Sequence, residues 1–194
     1  MLRKSLTEVL GLIVLFIIGS ILLLQLPTQQ PAPYEDTYKY LSSTGQLYQD
    51  VAIAKEKNLE KVYVEEITDG DTIKVTRADG SKAIIRYIGI DTPEIKHREG
   101  EINEKYGQEA TSVNAWLVYN KEVYLQKDAA ETDKYGRLLR YVYLEDGTMV
   151  NYVLIRLGYA TIMTIPPNVA FQQQFYAAQE LAKTEGRNLF APTE

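Results

Sequence analysis

The sequence of 194 residues predicts an α+β domain that is mainly β, preceded by one apolar helix. Three observations predict this class. Short β-rich runs alternate apolar and polar side chains and end at Gly, Asp or Pro, which is typical of half-buried strands. Longer stretches with apolar residues at helical spacing lie between and after them. An apolar stretch near the N terminus stands apart from both groups. Five strands in meander order favour a small closed barrel, and the OB type is one option among several.

The apolar stretch covers residues 9–26 and contains no charged side chain. As a helix it would span roughly 27 Å, which is close to the thickness of a bilayer core. Arg3 and Lys4 precede it and are expected to stay cytoplasmic, which places the remainder outside. No convincing small-x-small cleavage site follows. We therefore predict a signal anchor at residues 1–26 and a single-pass protein of the cell membrane, with a cleaved signal peptide and secretion as the alternative.

The remaining chain divides by composition. Residues 27–60 begin with a Pro- and Gln-rich run and continue polar, so we expect a tether with one or two marginal helices. Residues 61–190 carry the strand and helix patterns and form the predicted domain. Residues 191–194 form a short tail.

Five runs in this domain predict strands, at residues 62–67, 72–77, 82–90, 122–127 and 138–144. The pairs Asp69-Gly70 and Asp79-Gly80 supply the turn chemistry around the second strand. In this strand Asp71 has the same parity as Ile73, so an inward Ile73 implies an inward acid.

Helices are predicted at residues 106–120, 149–157 and 168–186. The first has Ala110, Val113 and Leu117 on one stripe. Asn168 is expected to cap the last one, whose stripe includes Phe171 and Phe175. Residues 162–165 are apolar and predict a short extended segment.

The composition excludes several kinds of site. The chain has no cysteine and a single histidine, so thiolate chemistry and polyhistidine zinc sites are ruled out. A metal would have to be held mainly by oxygen, which points to calcium or magnesium. The net charge of −5 provides no global attraction for nucleic acid, so any such binding must come from a local site.

The third strand carries Arg86 and ends in a turn with Asp91 and Glu94. An arginine within an apolar strand is costly unless it meets an anion. The group of charges would suit a phosphate beside a hard cation. Taken alone, however, Arg86 could form a structural ion pair with Asp91, Asp71 could end a hairpin, and Arg137 could be a surface turn residue.

Three segments together resemble the staphylococcal nuclease (thermonuclease) family. They are Asp-Gly-Asp-Thr at 69–72, Arg-Tyr-Ile-Gly-Ile-Asp-Thr-Pro-Glu at 86–94 and Thr-Asp-Lys-Tyr-Gly-Arg at 132–137. The resemblance implies an OB-fold barrel with three helices and calcium-dependent endonuclease activity. The implied substrates are DNA and RNA, preferably single-stranded or locally open, and the products carry 3′-phosphate ends. No obligate protein partner is evident from the sequence. A non-catalytic nucleic-acid- or protein-binding module on the same fold is the alternative.

The resemblance also implies roles for individual residues. Asp71, Asp91 and the backbone carbonyl of Thr92 would be the calcium ligands. Glu94 would orient or deprotonate the attacking water. Two further pairs match groups that bind the substrate: Arg86 and Arg137 for the scissile phosphate, and Lys134 and Tyr135 for a phosphate of the bound nucleotide.

The chain departs from the family at one part of the implied site. Thr164 stands at the position aligned with a tyrosine that packs against the nucleotide, and a further tyrosine is lost before Pro166-Pro167. Base stacking contributes roughly 1–3 kcal/mol per base, so we expect altered affinity or base preference. The acidic net charge predicts weaker electrostatic steering.

Overall fold

A computed structural model describes residues 33–48, 59–95 and 104–192 of the chain. Within these ranges the fold is α+β. The helices are α1 (Pro33–Ser43), α2 (Gly107–Val118), α3 (Val150–Arg156) and α4 (Gln172–Thr184), followed by a 3₁₀ turn at Asn188–Phe190. The strands are β1 (Glu60–Ile67), β2 (Thr72–Arg77), β3 (Lys82–Tyr87), β4 (Gly89–Asp91), β5 (Glu122–Gln126), β6 (Leu138–Tyr143) and β7 (Thr161–Met163).

Five strands close into a barrel in the order β1-β2-β3-β6-β5, which agrees with the predicted closed barrel and is consistent with the OB type. The simple meander order is wrong. Strand β3 pairs in parallel with β6, and β1 closes the barrel against β5 in antiparallel register. A parallel pair needs a long crossover connection, and the chain between β3 and β6 supplies it by passing through α2 and β5.

The predicted third strand, residues 82–90, is two strands. β3 ends at Tyr87, and Gly89 has a φ of +80°, a conformation that side chains rarely adopt. A Cβ at Gly89 would also lie 2.6 Å from the ring of Phe175 on α4. The chain therefore leaves the barrel here, and β4 pairs with β7 in a separate two-stranded sheet that carries Asp91.

The prediction that Asn168 caps the last helix is wrong. Helix α4 begins at Gln172, four residues later, and its N-terminal flank at Phe171 has no side-chain cap. The Asn168 side chain instead accepts a hydrogen bond from the Ala130 N–H at 2.7 Å. Because this amide is committed to the loop after β5, it is unavailable to the helix.

The described residues before the barrel, 33–48, belong to the same compact unit as the barrel. Tyr34 and Tyr38 of α1 contact the ring of Trp116 edge-on, with centroids 5.8 and 5.1 Å apart. Leu41 is fully buried, and Gln46 accepts a hydrogen bond from the buried Arg156 at 2.8 Å. The segment therefore contributes a fourth helix and apolar side chains to the core.

The predicted anchor at residues 1–26 lies outside the described residues. No helix in the described part of the chain is long and apolar enough to cross a membrane. The predicted domain boundaries stay predictions.

Candidate active site

A cleft of about 650 Å³ opens between the turn before β2, the end of β4, the loop before β6 and the segment after β7. It brings together residues from four separate parts of the sequence. Those predicted site residues that line it are Asp71, Arg86, Asp91, Glu94, Lys134, Tyr135 and Arg137. The eighth predicted residue, Thr92, does not line the cleft but contacts Asp71, which does.

Asp71 points inward, as its parity with Ile73 predicts, and only 4% of its surface is exposed. The carboxylate accepts hydrogen bonds from the Thr92 N–H at 2.9 Å and the Thr92 hydroxyl at 3.1 Å. Thr72 donates to the other oxygen at 3.2 Å. Burial raises the pKa of Asp71 to about 7, because desolvation outweighs the attraction of the neighbouring Arg86 guanidinium.

Arg86 lies between the two aspartates. Its Nη1 is 2.9 Å from Asp71 Oδ2, and its Nη2 is 2.7 Å from Asp91 Oδ1. Nη1 also donates to the carbonyl oxygen of Ile90 at 2.9 Å. With 12% of its side chain exposed, the guanidinium is held in place by these contacts and still borders the cleft. The ion pair with Asp91 that the sequence allowed is therefore present, and Asp71 joins it.

Two glycines allow other elements to approach the turn that follows β4. A Cβ at Gly70 would lie 2.6 Å from the Thr92 hydroxyl, and a Cβ at Gly107 would lie 2.7 Å from the Glu94 carbonyl oxygen. Glu104 contacts Glu94 through both its side chain and its backbone. The Glu94 N–H donates to the Glu104 carboxylate at 3.2 Å, and the Glu104 N–H donates to the Glu94 carbonyl oxygen. The turn is therefore fixed while the Glu94 side chain itself is exposed on the cleft.

Asp133 holds Arg137, which also lines the cleft. Its carboxylate accepts from Arg137 Nε at 2.7 Å and from the Arg137 N–H at 3.0 Å. Burial alone would raise the pKa of Asp133, but hydrogen bonds from Arg137 and from the Tyr135 N–H outweigh it and hold this pKa below its ordinary value. The pairing uses Nε, so the two terminal guanidinium nitrogens remain the part of Arg137 that a phosphate can meet.

Lys134 and Tyr135 form the tip of the same loop. The Tyr135 side chain is strongly exposed, at 72%. The Lys134 ammonium lies 4.9 Å and the Arg137 guanidinium 5.6 Å from the centre of its ring. The loop therefore presents an aromatic face flanked by two cations at the edge of the cleft.

The donor set fits a hard cation. Asp71 and Asp91 both contact the Arg86 guanidinium, so their carboxylates lie close to each other. Among the described residues there is no group of three or more acidic or histidine side chains placed to hold a metal. Two carboxylates completed by a backbone carbonyl and water are nevertheless a usual set for calcium or magnesium.

Several residues of the site were missed from the sequence. Asp133 stands in a recognisable Asp-x-x-Gly turn, and this turn signal could have indicated an acid that organises the loop. Asp69 accepts the Asp71 N–H at 3.0 Å and also lines the cleft. Met163 and Ile165 line it as well, and their side chains are exposed. The two apolar residues carry no local signal, because only the pairing of β7 with β4 places them there.

Comparison with known proteins identifies relatives of this chain, and the matching family model covers every predicted site residue except Asp71. A family model described as staphylococcal nuclease homologue matches residues 84–192. Endonuclease YncB of Bacillus subtilis is 36% identical over 138 residues, covering 70% of this chain and 64% of the relative. The SPbeta prophage-derived endonuclease YokF of the same organism is 37% identical over 137 residues, covering 70% of this chain and 45% of the relative. The chain thus spans less than two thirds of either Bacillus relative. A thermonuclease of Staphylococcus hyicus is 35% identical over 133 residues, covering 68% of this chain and 77% of the relative.

Proposed function

The chain belongs to the staphylococcal nuclease family, and from this premise we propose that it is a calcium-dependent endonuclease that hydrolyses phosphodiester bonds of DNA and RNA. The observation that carries the proposal is the composition of one cleft. Two neighbouring carboxylates, two arginines and an exposed glutamate come from separate parts of the chain and face the same space. A hydrolase acting on a phosphodiester needs a cation, anion-binding groups and a positioned water, and these residue types can supply or hold each of them.

Asp71, Asp91 and the Thr92 carbonyl are the proposed calcium ligands. When bound, calcium would neutralise phosphate charge and bind water close to the reacting phosphorus. Asp71 must be ionised for this role, and its Thr92 and Thr72 hydrogen bonds stabilise the ionised form.

Arg86 and Arg137 are the proposed phosphate-binding residues, and Glu94 is the group that orients or deprotonates water. A guanidinium can bind two phosphate oxygens at once and follow the charge that develops in the transition state. Arg137 is already held through Nε by Asp133. Arg86 would have to exchange part of its contact with the aspartates for phosphate. Glu94 is exposed on the cleft, where it can reach a water molecule.

The proposed substrate is single-stranded or locally open nucleic acid, and the proposed products carry 3′-phosphate ends. Tyr135 supports the preference for open strands, because its exposed ring can stack on a base only when that base is accessible. Met163 and Ile165 add exposed apolar surface to the same cleft. They can contact a base in the region where the sequence lacks the family's tyrosine.

We also propose that the protein is exported and held at the cell membrane by residues 1–26. The apolar run at 9–26 and the preceding Arg3 and Lys4 support this proposal. Secretion after cleavage is the alternative outcome. Membrane fractionation of the intact protein decides between them, because a shortened species in the medium contradicts anchoring.

A non-catalytic nucleic-acid- or protein-binding module is the second candidate function. The ion pairs between Arg86 and both aspartates favour it, since they would stabilise this turn even without chemistry. The decisive experiment incubates the full chain with heat-denatured DNA or RNA and calcium, followed by excess chelator. We expect cleavage that stops with the chelator and products whose 3′ ends become extendable only after phosphatase treatment. Binding without cleavage at every pH tested would establish the second candidate.

A further inference from the structure

A buried chain of hydrogen bonds connects the barrel with the turn that carries Asp71. The Tyr87 hydroxyl, at the end of β3, donates to Asn114 Oδ1 on α2 at 2.8 Å. The Asn114 Nδ2 then donates to the carbonyl oxygen of Asp69 at 3.0 Å. Exposure is 1% for Tyr87 and 0% for Asn114. Tyr87 is among the residues that line the cleft, but its hydroxyl points to Asn114, which does not line it.

The same turn is held a second time by backbone. The Tyr87 N–H donates to the carbonyl oxygen of Asp71 at 2.9 Å. The Asp71 N–H donates to the Asp69 carboxylate at 3.0 Å, which closes the turn internally. Tyr87 thus helps to hold both ends of the Asp69–Asp71 turn. Its backbone N–H binds Asp71 directly, and its hydroxyl is linked to Asp69 through Asn114. The direction in which the Asp71 carboxylate points depends on this turn.

The side-chain contacts are specific rather than space-filling. A phenylalanine and a leucine would fill a similar volume without placing a hydroxyl and an amide away from water. Burial, the largest effect, raises the pKa of Tyr87 well above its ordinary value, so the phenol stays protonated and remains a donor. Asn114 needs both of its ends, because it accepts from the barrel and donates to the turn. The Tyr87–Asn114 pair therefore fixes the position of the turn relative to β3.

We propose that Tyr87 and Asn114 are positioning residues that fix the Asp69–Asp71 turn and so orient the Asp71 carboxylate for the metal. This role rests on the proposed function, since it assigns Asp71 to calcium. The hydrogen bonds from Tyr87 and Asn114 also hold the turn in the calcium-free protein, and their effect on the turn can be measured without any turnover.

The test uses the full chain and the variant Tyr87→Phe, with Tyr143→Phe as a matched control. Tyr143 is equally buried in the barrel, its hydroxyl donates to Gln126 at 2.8 Å, and neither residue lines the cleft. Amide hydrogen exchange is followed by NMR at Thr92, which bonds Asp71, and at Val75 in the centre of β2. Calcium binding is measured by calorimetry without substrate. Chemical denaturation gives the global stability of each variant.

We expect Tyr87→Phe to speed exchange at Thr92 relative to Val75 and to weaken calcium binding, each by about three- to tenfold, as the loss of one buried hydrogen bond allows. Tyr143→Phe should lower stability by a similar amount and change neither the exchange ratio nor the calcium Kd. Asn114→Ala should reproduce Tyr87→Phe, and if it fails to fold, Tyr87→Phe alone decides.

Two results overturn the positioning role. One is an unchanged exchange ratio in Tyr87→Phe, and the other is an unchanged calcium Kd where the parent binds calcium. If the parent binds no calcium, the calcium dependence of the proposed function fails separately. The exchange ratio at Thr92 then decides by itself whether Tyr87 fixes the turn.

Discussion

Arg86 reaches the buried carboxylate of Asp71 with Nη1 at 2.9 Å. The other terminal nitrogen contacts Asp91 at 2.7 Å, so one guanidinium serves both of the carboxylates that we assign to calcium. Two cations cannot share these acids without repelling each other. The arginine that is proposed to bind phosphate is therefore also the residue that opposes metal binding when no phosphate is present.

The variant Arg86→Gln should separate these two effects. Calcium binding without substrate should tighten, roughly three- to tenfold, because a competing positive charge is removed. Cleavage should fall by about 10²–10³-fold, because a group that stabilises transition-state charge is lost. Calorimetric titration and single-turnover cleavage measure the two quantities. Calcium binding that weakens in Arg86→Gln would show that the ion pairs organise the acids and do not oppose the metal.

The variant Arg137→Lys should lose most turnover while the fold is retained. Lysine keeps the charge but cannot bind phosphate as a fork, and it has no Nε to meet Asp133. We expect the turnover number to fall by about 10²–10³-fold. Arg77→Lys is the control, because Arg77 is paired with Glu60 and does not line the cleft. Equal kinetics in the two variants would remove Arg137 from the site.

The variant Glu94→Gln should reduce cleavage without preventing calcium binding. Gln keeps the size and polarity of the side chain but cannot accept a proton, and a positioned base is worth about 10²–10⁴-fold. The pH dependence of single-turnover cleavage in parent and variant measures the role. Glu109→Gln, an exposed acid in the first turn of α2, serves as the control. A Glu94→Gln enzyme with parental rates would contradict any part for this carboxylate in the chemistry.

The variant Tyr135→Ala should weaken substrate binding more than turnover. Loss of a stacking contact of about 1–3 kcal/mol corresponds to a rise in KM of about 5- to 150-fold for single-stranded substrate. Tyr176→Ala is matched to it, since Tyr176 is half exposed on α4 and does not line the cleft. Steady-state kinetics on single-stranded and duplex DNA measure the effect. An equal change on both substrates would contradict a role for Tyr135 in selecting open strands.

Much of the barrel could be predicted from the sequence because its strands obey a local rule. The alternation that places Ile73 and Val75 inward also places Asp71 inward, and all three are buried. The extent of the third strand could not be predicted this way. The strand is interrupted at Gly89, where the ring of Phe175 from α4 lies too close for a side chain. The alternation of apolar and polar residues reflects only neighbours along the chain, whereas the interruption at Gly89 depends on a tertiary contact.

The candidate site likewise contains residues that the sequence could predict and residues that it could not. The charged residues of the cleft stand out because charges within apolar runs require partners, which led to Arg86 and Asp91. The groups that hold them are different. Asn114 is a polar residue within a helical stripe, and nothing in its local sequence indicates that its amide meets the carbonyl of Asp69. Positioning groups of this kind become visible only when the fold brings β3, α2 and the turn together.

An ion pair between a buried arginine and a partly exposed glutamate, away from the cleft, should make stability depend on pH. Arg156 on α3 is fully buried and contacts both carboxylate oxygens of Glu185 at 2.6 and 2.7 Å. Hydrogen bonds from Arg156 are the main cause that lowers the pKa of Glu185 from 4.5 to about 2. Because the folded-state pKa is the lower one, this stabilisation is present above pH 4.5 and is lost as pH falls towards 2.

The variant Glu185→Gln removes the titrating group and tests this dependence. At pH 7 it should lower the free energy of unfolding by about 2 kcal/mol, the loss expected for hydrogen bonds to a charged group. The difference from the parent should shrink as pH falls through the same window, as urea denaturation at a series of pH values measures. Glu180→Gln should have almost no effect, because the pair of Glu180 with Lys183 is exposed on both sides. A constant difference between Glu185→Gln and the parent from pH 7 to pH 3 would show that packing, and not ionisation of Glu185, stabilises this contact.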